Sequence, residues 1–362
     1  MITGDLDRAL ATMIGSAGTW RPAPAGAAGG PRTYATTIAF RLARGAEGPN
    51  AVAAGLAARV CGLNWVEAAT VVGGGYLVIT VTADALACLA PRVTRAGAGC
   101  ARSGALAGTD VTVPGPTAPG AAGLASARTW EEARQHVHAA VTARLAETAG
   151  ARVNHQDAER IAAPGSPAPA AASVVTEAVA YAGADAITYA LARLPPRSPA
   201  RVDARLTAAH HLGNPAYAVR YAHAHAASSL RQAADLGLGL GDAALFRPRL
   251  LAHPREQALL YELSWLPERV AGAARRRRPD VFARFLEGLA GAYFGCAEAC
   301  PAVPPGTGPP GTGPPGTGPL GIWPPGERAA STGPARLWLA AAARTGLRAG
   351  LDLLGVDAPD RL

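Results

Sequence analysis

Two tyrosines one helical turn apart, Tyr217 and Tyr221, stand among Arg220, His225, Ser228 and Arg231 in the run Asn214 to Arg231. Residues three and four apart share one face of a helix, so this spacing gathers rings, cations and a hydroxyl on one side. That combination suits unstacked nucleic-acid bases: a base has a π-face to stack on, and its phosphate can be met by a guanidinium. The competing reading is a helix packed between two layers, since tyrosine also serves in cores with its hydroxyl satisfied. Other chemistry is harder to build from this sequence. No pair of carboxylates, nucleophile triad or phosphate loop stands out, and Gly73, Gly74 and Gly75 fall between two β-like runs instead of opening a helix. His223 and His225 lie at i, i+2 and point to different sides of a helix, which excludes a shared metal. The five cysteines, Cys61, Cys88, Cys100, Cys296 and Cys300, form no paired CxxC pattern, so Cys296 and Cys300 are expected as buried thiols. No metal and no cofactor is expected.

The element that carries the ring cluster is well punctuated. Asn214 is an N-cap, Pro215 supplies a preset φ at the first helical position, and Gly237 ends the run. Val219, Ala222, Ala226, Leu230 and Ala233 form the inward side of this helix, while Ala224 is expected outward with the rings.

The run Asn214, Pro215, Tyr217, Val219, Tyr221, Ala222, His223, Ala224 resembles the Asn-Pro-x-Tyr-Tyr-Val-Gln-Tyr-Ala-His-Ala-Arg segment of arginyl-tRNA synthetases, in their all-helical anticodon-binding (DALR) domain. The eponymous Asp-Ala-Leu-Arg signature reads Asp185, Ala186, Ile187, Thr188 here. Arg284, Phe285, Leu286, then Leu289, Ala290, Tyr293, Phe294, and the ends Ala335, Arg336, Leu337 and Gly350 to Leu362, are similar to further family motifs in the same order. Nearer the N-terminus, Tyr34, Ala35, Ile38, Ala39, Phe40 and the stretch Val72 to Ile79 resemble the family's N-terminal appended domain, which touches the tRNA elbow; Thr33, Thr37 and Val78 replace its polar members.

The resemblance implies an α+β chain: a small N-terminal α/β domain over residues 1–96, a linker over 97–172 with one helix at 129–148, and an all-α anticodon-binding helical bundle over 173–362 with a Pro/Gly/Thr-rich insertion at 301–333. It also implies a role for Tyr217, Arg220, Tyr221, His225, Ser228 and Arg231 in holding anticodon-loop bases and phosphates of a tRNA, an arginine tRNA being the family's own ligand. Ala218 stands where the family has its second tyrosine and His225 where it has an arginine, so relaxed anticodon specificity is expected. His223 matches the family's buried histidine.

Aminoacylation is not expected. The family's catalytic domain uses a His-x-Gly-His element and a mobile lysine loop to stabilise charge on the α-phosphate of ATP. None of the eight histidines lies in such an element and the sequence has no lysine. About 90 residues separate the hairpin from the helical domain, fewer than the ~100 to 200 of a typical domain. The expected function is thus ATP-independent tRNA binding; the alternative is a protein-partner module docking on a tRNA-dependent enzyme.

Composition agrees without deciding. A formal net charge of +8 favours polyanionic partners, while the all-arginine usage also fits G+C-rich coding. No signal segment and no run of ~18 apolar residues is present, so a cytoplasmic protein without membrane contact is expected.

Cap and period signals place further helices at 4–15, 34–43, 50–60 (with Asn50 as cap), 173–193, 203–210, 214–236, 255–265, 267–277, 279–299 and 335–354, and a hairpin at 67–82. Helix 129–148 reads equally as a remnant of a catalytic region or as a bridge, and residues 97–127 as flexible linker. The Arg275 to Arg278 run reads as a phosphate clamp or a solvated helix cap, and the Pro-Pro-Gly-Thr-Gly repeats at 304–318 as a loop expansion.

Overall fold

The computed structural model describes residues 2–15, 22–24, 30–44, 48–114, 121–156, 173–303 and 332–362. The repeats at 304–318 and the Pro/Ala stretch at 163–172 lie outside the described residues. The chain forms two compact units: Met1–Ala96, Ser229–Trp265 and Ala292–Ala343 make the first, and Gly97–Ser228, Leu266–Gly291 and Arg344–Leu362 the second. Residues 1–96 therefore share their core with later segments.

In the first unit, α1 (Ile2–Ile14) buries Ile2, Leu6 and Leu10, an i, i+4, i+8 stripe. Strands β1 (Pro22–Pro24) and β2 (Thr33–Thr36) precede helices α2 (Ile38–Leu42) and α3 (Pro49–Val60), followed by the hairpin β3 (Val66–Val72) and β4 (Tyr76–Val81). The sheet order is β1-β2-β4-β3, antiparallel throughout.

Two local expectations are corrected here. Residues 34–43 are not one helix, because Thr33 to Thr36 pair with Thr80 to Leu77, and β-branched and aromatic side chains buried on both faces suit a central strand. The turn into α2 is made by Thr36, whose Oγ1 accepts from the Ile38 N–H at 3.1 Å. Gly48, not Asn50, is the cap of α3, and Pro49 takes the first helical position, where its missing N–H leaves no bond unmade. The triple glycine is the hairpin tip; Gly75 has φ +144° and a Cβ there would lie 2.7 Å from the Pro49 Cβ, so the tip needs glycine for steric reasons.

Helices α4 (Ala83–Ala87) and α5 (Leu89–Ala96) complete the N-terminal segment. Tyr34 is wholly buried, with its hydroxyl 2.7 Å from the Ser264 Oγ and its ring 5.4 Å and 5.3 Å from those of Tyr261 and Trp265. Burial raises its phenol far above the usual range.

The second unit opens with β5 (Asp110–Pro114), α6 (Ala121–Ala125), α7 (Trp130–Thr148) and β6 (Arg152–Gln156). β5 and β6 pair in parallel, with Asp110 opposite Arg152 and joined to it at 2.9 Å. Parallel neighbours need a crossover, and α7 lies between them in the chain. The stretch 97–127 is thus not a structureless linker in its described part: Leu106, Val111, Val113 and Leu124 are buried, few enough to be hidden in a Gly/Ala/Pro-rich composition. Helix α7 is a packed element whose Thr129 Oγ1 accepts from the Glu132 N–H at 3.2 Å.

Next come α8 (Val174–Ala182) and α9 (Ala184–Arg193), which replace the single helix expected at 173–193. Gly183, at φ +85°, breaks it. The remaining helices are α10 (Ala204–Ala208), α11 (Pro215–Asp235), α12 (Pro254–Ser264), α13 (Leu266–Arg276), α14 (Pro279–Ala299) and α15 (Thr332–Leu354), close to the expected spans. Tyr189 of α9 donates its hydroxyl to the Ala283 carbonyl at 3.1 Å. Arg193 forks onto Glu287 at 2.7 Å and 3.2 Å.

Past α13, Arg277 adopts φ +51° and the Arg278 N–H donates to the Ala273 carbonyl, closing the helix end. Arg278 then forks onto the buried Asp280 at 2.7 Å twice. Burial favours the neutral acid, yet the Arg278 hydrogen bonds and charge and the nearby Arg284 outweigh it, so the Asp280 carboxyl sits below the usual carboxylate range. Arg278 is therefore a structural cap, while Arg275, Arg276 and Arg277 are exposed.

Cys296 and Cys300 are both buried, and burial pushes the Cys296 thiol up to about 12, which makes it a poor nucleophile.

Candidate nucleic-acid interface

The helix that carries the candidate residues begins with Asn214, only 7% exposed. Its Oδ1 accepts from the Ala216 N–H at 3.2 Å, capping α11, while its amide donates to the Thr207 and Ala209 carbonyls, both at 2.8 Å. One side chain thus starts the helix and ties down the preceding loop. At the far end the Leu238 N–H donates to the Ala233 carbonyl across Gly237 at φ +70°.

Val219, Ala222, Ala226 and Ala233 are buried as expected, and Leu230 is half-buried. Ala224 departs from expectation: it is 6% exposed, not outward, because a methyl group needs little cover with larger side chains one turn away. His223 is fully buried, its Nδ1 3.0 Å from the Pro359 carbonyl. Burial lowers its pKa, against the opposing pull of that carbonyl.

On the outer side the rings form a ladder. Tyr217 and Tyr221 are nearly parallel, with centroids 5.5 Å apart and planes at 9°. His210, from the loop before α11, stacks on Tyr217 at 5.3 Å and 18°. His225 meets Tyr221 edge-on at 6.0 Å. Such offset and edge-to-face pairs are the favoured aromatic geometries. Burial lowers the pKa of His225, so near pH 7 it presents a neutral imidazole.

Arg220 is engaged within the chain. Its guanidinium lies 3.4 Å from the Asp185 carboxylate of α9, and its Nε donates to the Asp357 carbonyl at 3.3 Å. Residues 355–362 are further held by Arg344, which forks onto Asp360 at 2.8 Å and 2.9 Å. Of the six expected site residues, Tyr217, Tyr221 and His225 come together as the ladder, Arg220 turns toward α9 and the tail, and Ser228 is exposed one turn on. Arg231 lies further along α11, in the residues of the first unit. Sequence reasoning missed His210; the signal was its position four residues before an Asn-Pro cap, within reach of the first helical turn.

The comparisons with known proteins bear on the helix that carries these rings. The profile described as DALR anticodon binding domain matches residues 219–304. Among curated proteins, the arginine--tRNA ligase of Paenarthrobacter aurescens is 37% identical over 184 residues, 51% of this chain and 30% of that protein. The arginine--tRNA ligase of Micrococcus luteus is 39% identical over 184 residues, again 51% and 30%. Among solved structures, Thermus thermophilus arginyl-tRNA synthetase is similar with a TM-score of 0.66 at 14% identity, covering 100% of both chains, which speaks for the fold. Residues 219–304 thus match the DALR anticodon binding domain, and about half of the chain is similar in sequence to arginine--tRNA ligases. It aligns with about 30% of the length of those curated relatives.

Proposed function

We propose that this chain binds the anticodon loop of a tRNA without aminoacylating it. The observation that carries the reading is the ring ladder on α11, a helix that falls largely within the segment matched as an anticodon-binding domain. Tyr221 and its neighbours offer bases a stacking surface and Ser228 a hydroxyl. Arg220 acts through the chain, fixing α11 to Asp185 and the tail. The neutral His225 replaces the guanidinium that the family carries there, which supports relaxed anticodon choice. Support for the non-catalytic part comes from a sequence with no His-x-Gly-His and no lysine. Among the described residues no helix is long and apolar enough to cross a membrane, and a cytoplasmic, tRNA-rich setting fits the reading.

The test is gel retardation of total tRNA over a series of salt concentrations. Wild-type protein should retard tRNA at low salt and lose affinity as salt rises. Tyr221→Ala should weaken binding roughly 5- to 150-fold, the equivalent of the ~1–3 kcal/mol of one base–aromatic stack. Unretarded tRNA at low salt, or unchanged binding by Tyr221→Ala, would sink the proposal. Recovery of a stable RNase-resistant protein complex in place of RNA would favour the protein-partner reading.

A further inference from the structure

His210 does not belong to α11, yet its position is set from that helix. The Asn214 amide holds the carbonyls of Thr207 and Ala209, the backbone just before the histidine. On its other side the Gly213 N–H donates to the His211 Nδ1 at 3.0 Å, which closes the turn into α11. The loop therefore presents His210 in one place, over Tyr217. Tyr217 already has two stacked partners, His210 and Tyr221. His210 is exposed and has one, and among the described residues its ring has no hydrogen bond or ion pair. Leu206 and Leu212, on either side of it in sequence, are 68% and 57% exposed and give the loop an apolar surface.

We propose that His210 is the outer stacking platform of this interface: an unpaired RNA base lies on its open ring face and extends the ladder by one member, with Asn214 as the positioning residue that holds the platform. The inference rests on the tRNA-binding reading and adds to it the place where the first base docks. An arriving base finds on His210 an uncovered ring already aligned with two more, whereas stacking on Tyr217 competes with a partner already in place. Stacking of this kind tolerates any base, because all have a π-face. The platform thus supplies affinity, not choice of sequence.

The experiment uses the full chain and a tRNA anticodon stem-loop with 2-aminopurine at an unpaired loop position, whose fluorescence is quenched when it stacks. Wild-type protein should bind and quench. His210→Ala should weaken binding roughly 5- to 150-fold and lose most of the quench, while His210→Phe, which keeps a ring, retains both. Asn214→Asp keeps the cap acceptor and removes the amide donors; it should weaken binding alone but add little in the His210→Ala background, as expected of residues acting as one unit. Circular dichroism shows that each variant is folded. If Tyr221→Ala loses binding while His210→Ala keeps full affinity and quench, the platform is overturned and the tRNA reading stands. Equal losses in His210→Ala and His210→Phe overturn it too, since the imidazole would then act by hydrogen bonding. A wild-type protein that neither binds nor quenches overturns both.

Discussion

Truncating Leu286 to alanine is expected to lower stability by about 2–5 kcal/mol, the range for large-to-small changes in a closed core. Leu286 is fully buried in α14, and Gly350 of α15 passes directly over it. A Cβ at position 350 would fall 2.3 Å from the Leu286 Cδ2 and 3.0 Å from its Cδ1. In the wild-type background Gly350→Ala should therefore destabilise by about 1–3 kcal/mol through overpacking, in spite of the better helix propensity of alanine. In the Leu286→Ala background the same substitution should stabilise, because the clash is gone and the new methyl fills part of the cavity. Urea unfolding of the four proteins reads the cycle through the midpoint at constant slope. Additive effects would show that the two helices do not meet here as described. The glycine that opens the C-terminal family-like motif is thus explained by helix–helix approach.

Glu256→Ala is the second large effect, about 3–5 kcal/mol, because it breaks a buried ion pair by removing one partner. Glu256 is 1% exposed and both its oxygens are used. Oε1 accepts from the Arg336 Nε at 2.8 Å, and Oε2 accepts from the His253 N–H at 3.0 Å in a capping box that starts α12. Alanine leaves the Arg336 guanidinium, 24% exposed, without its counter-charge and the first turn of α12 without its cap. Glu256→Gln retains a polar group of the same shape and should lose less. Thermal unfolding of both variants checks this, and equal losses in Ala and Gln would show that the retained amide contributes nothing and that the carboxylate charge accounts for the whole effect. Arg336 is part of a family-like motif as well, and its role here is to hold α15 to α12.

Much of the fold is legible in the sequence because it is written locally. Helices α11, α12 and α14 begin at caps or prolines such as Asn214, Pro254 and Pro279, and the β3–β4 hairpin is marked by three glycines between β-branched runs. What is not legible depends on partners far along the chain. Thr33 to Thr36 form a strand because residues 77–80 pair with them, and nothing in four residues announces that. Val111 and Val113 gain a strand's role only through the parallel register with residues 152–156, across an intervening helix. The same division holds at the site. Tyr217, Tyr221 and His225 follow from the i, i+4 spacing, while His210 enters from a loop and Arg220 is drawn to Asp185 and Asp357, which no helical projection reveals.

The most direct test of the central claim is a hydroxyl-radical footprint of tRNA bound by the full chain. Binding through the ladder on α11 predicts protection concentrated in the anticodon loop and lost with Tyr221→Ala. Protection spread evenly along the tRNA, or confined to its acceptor stem, would contradict it.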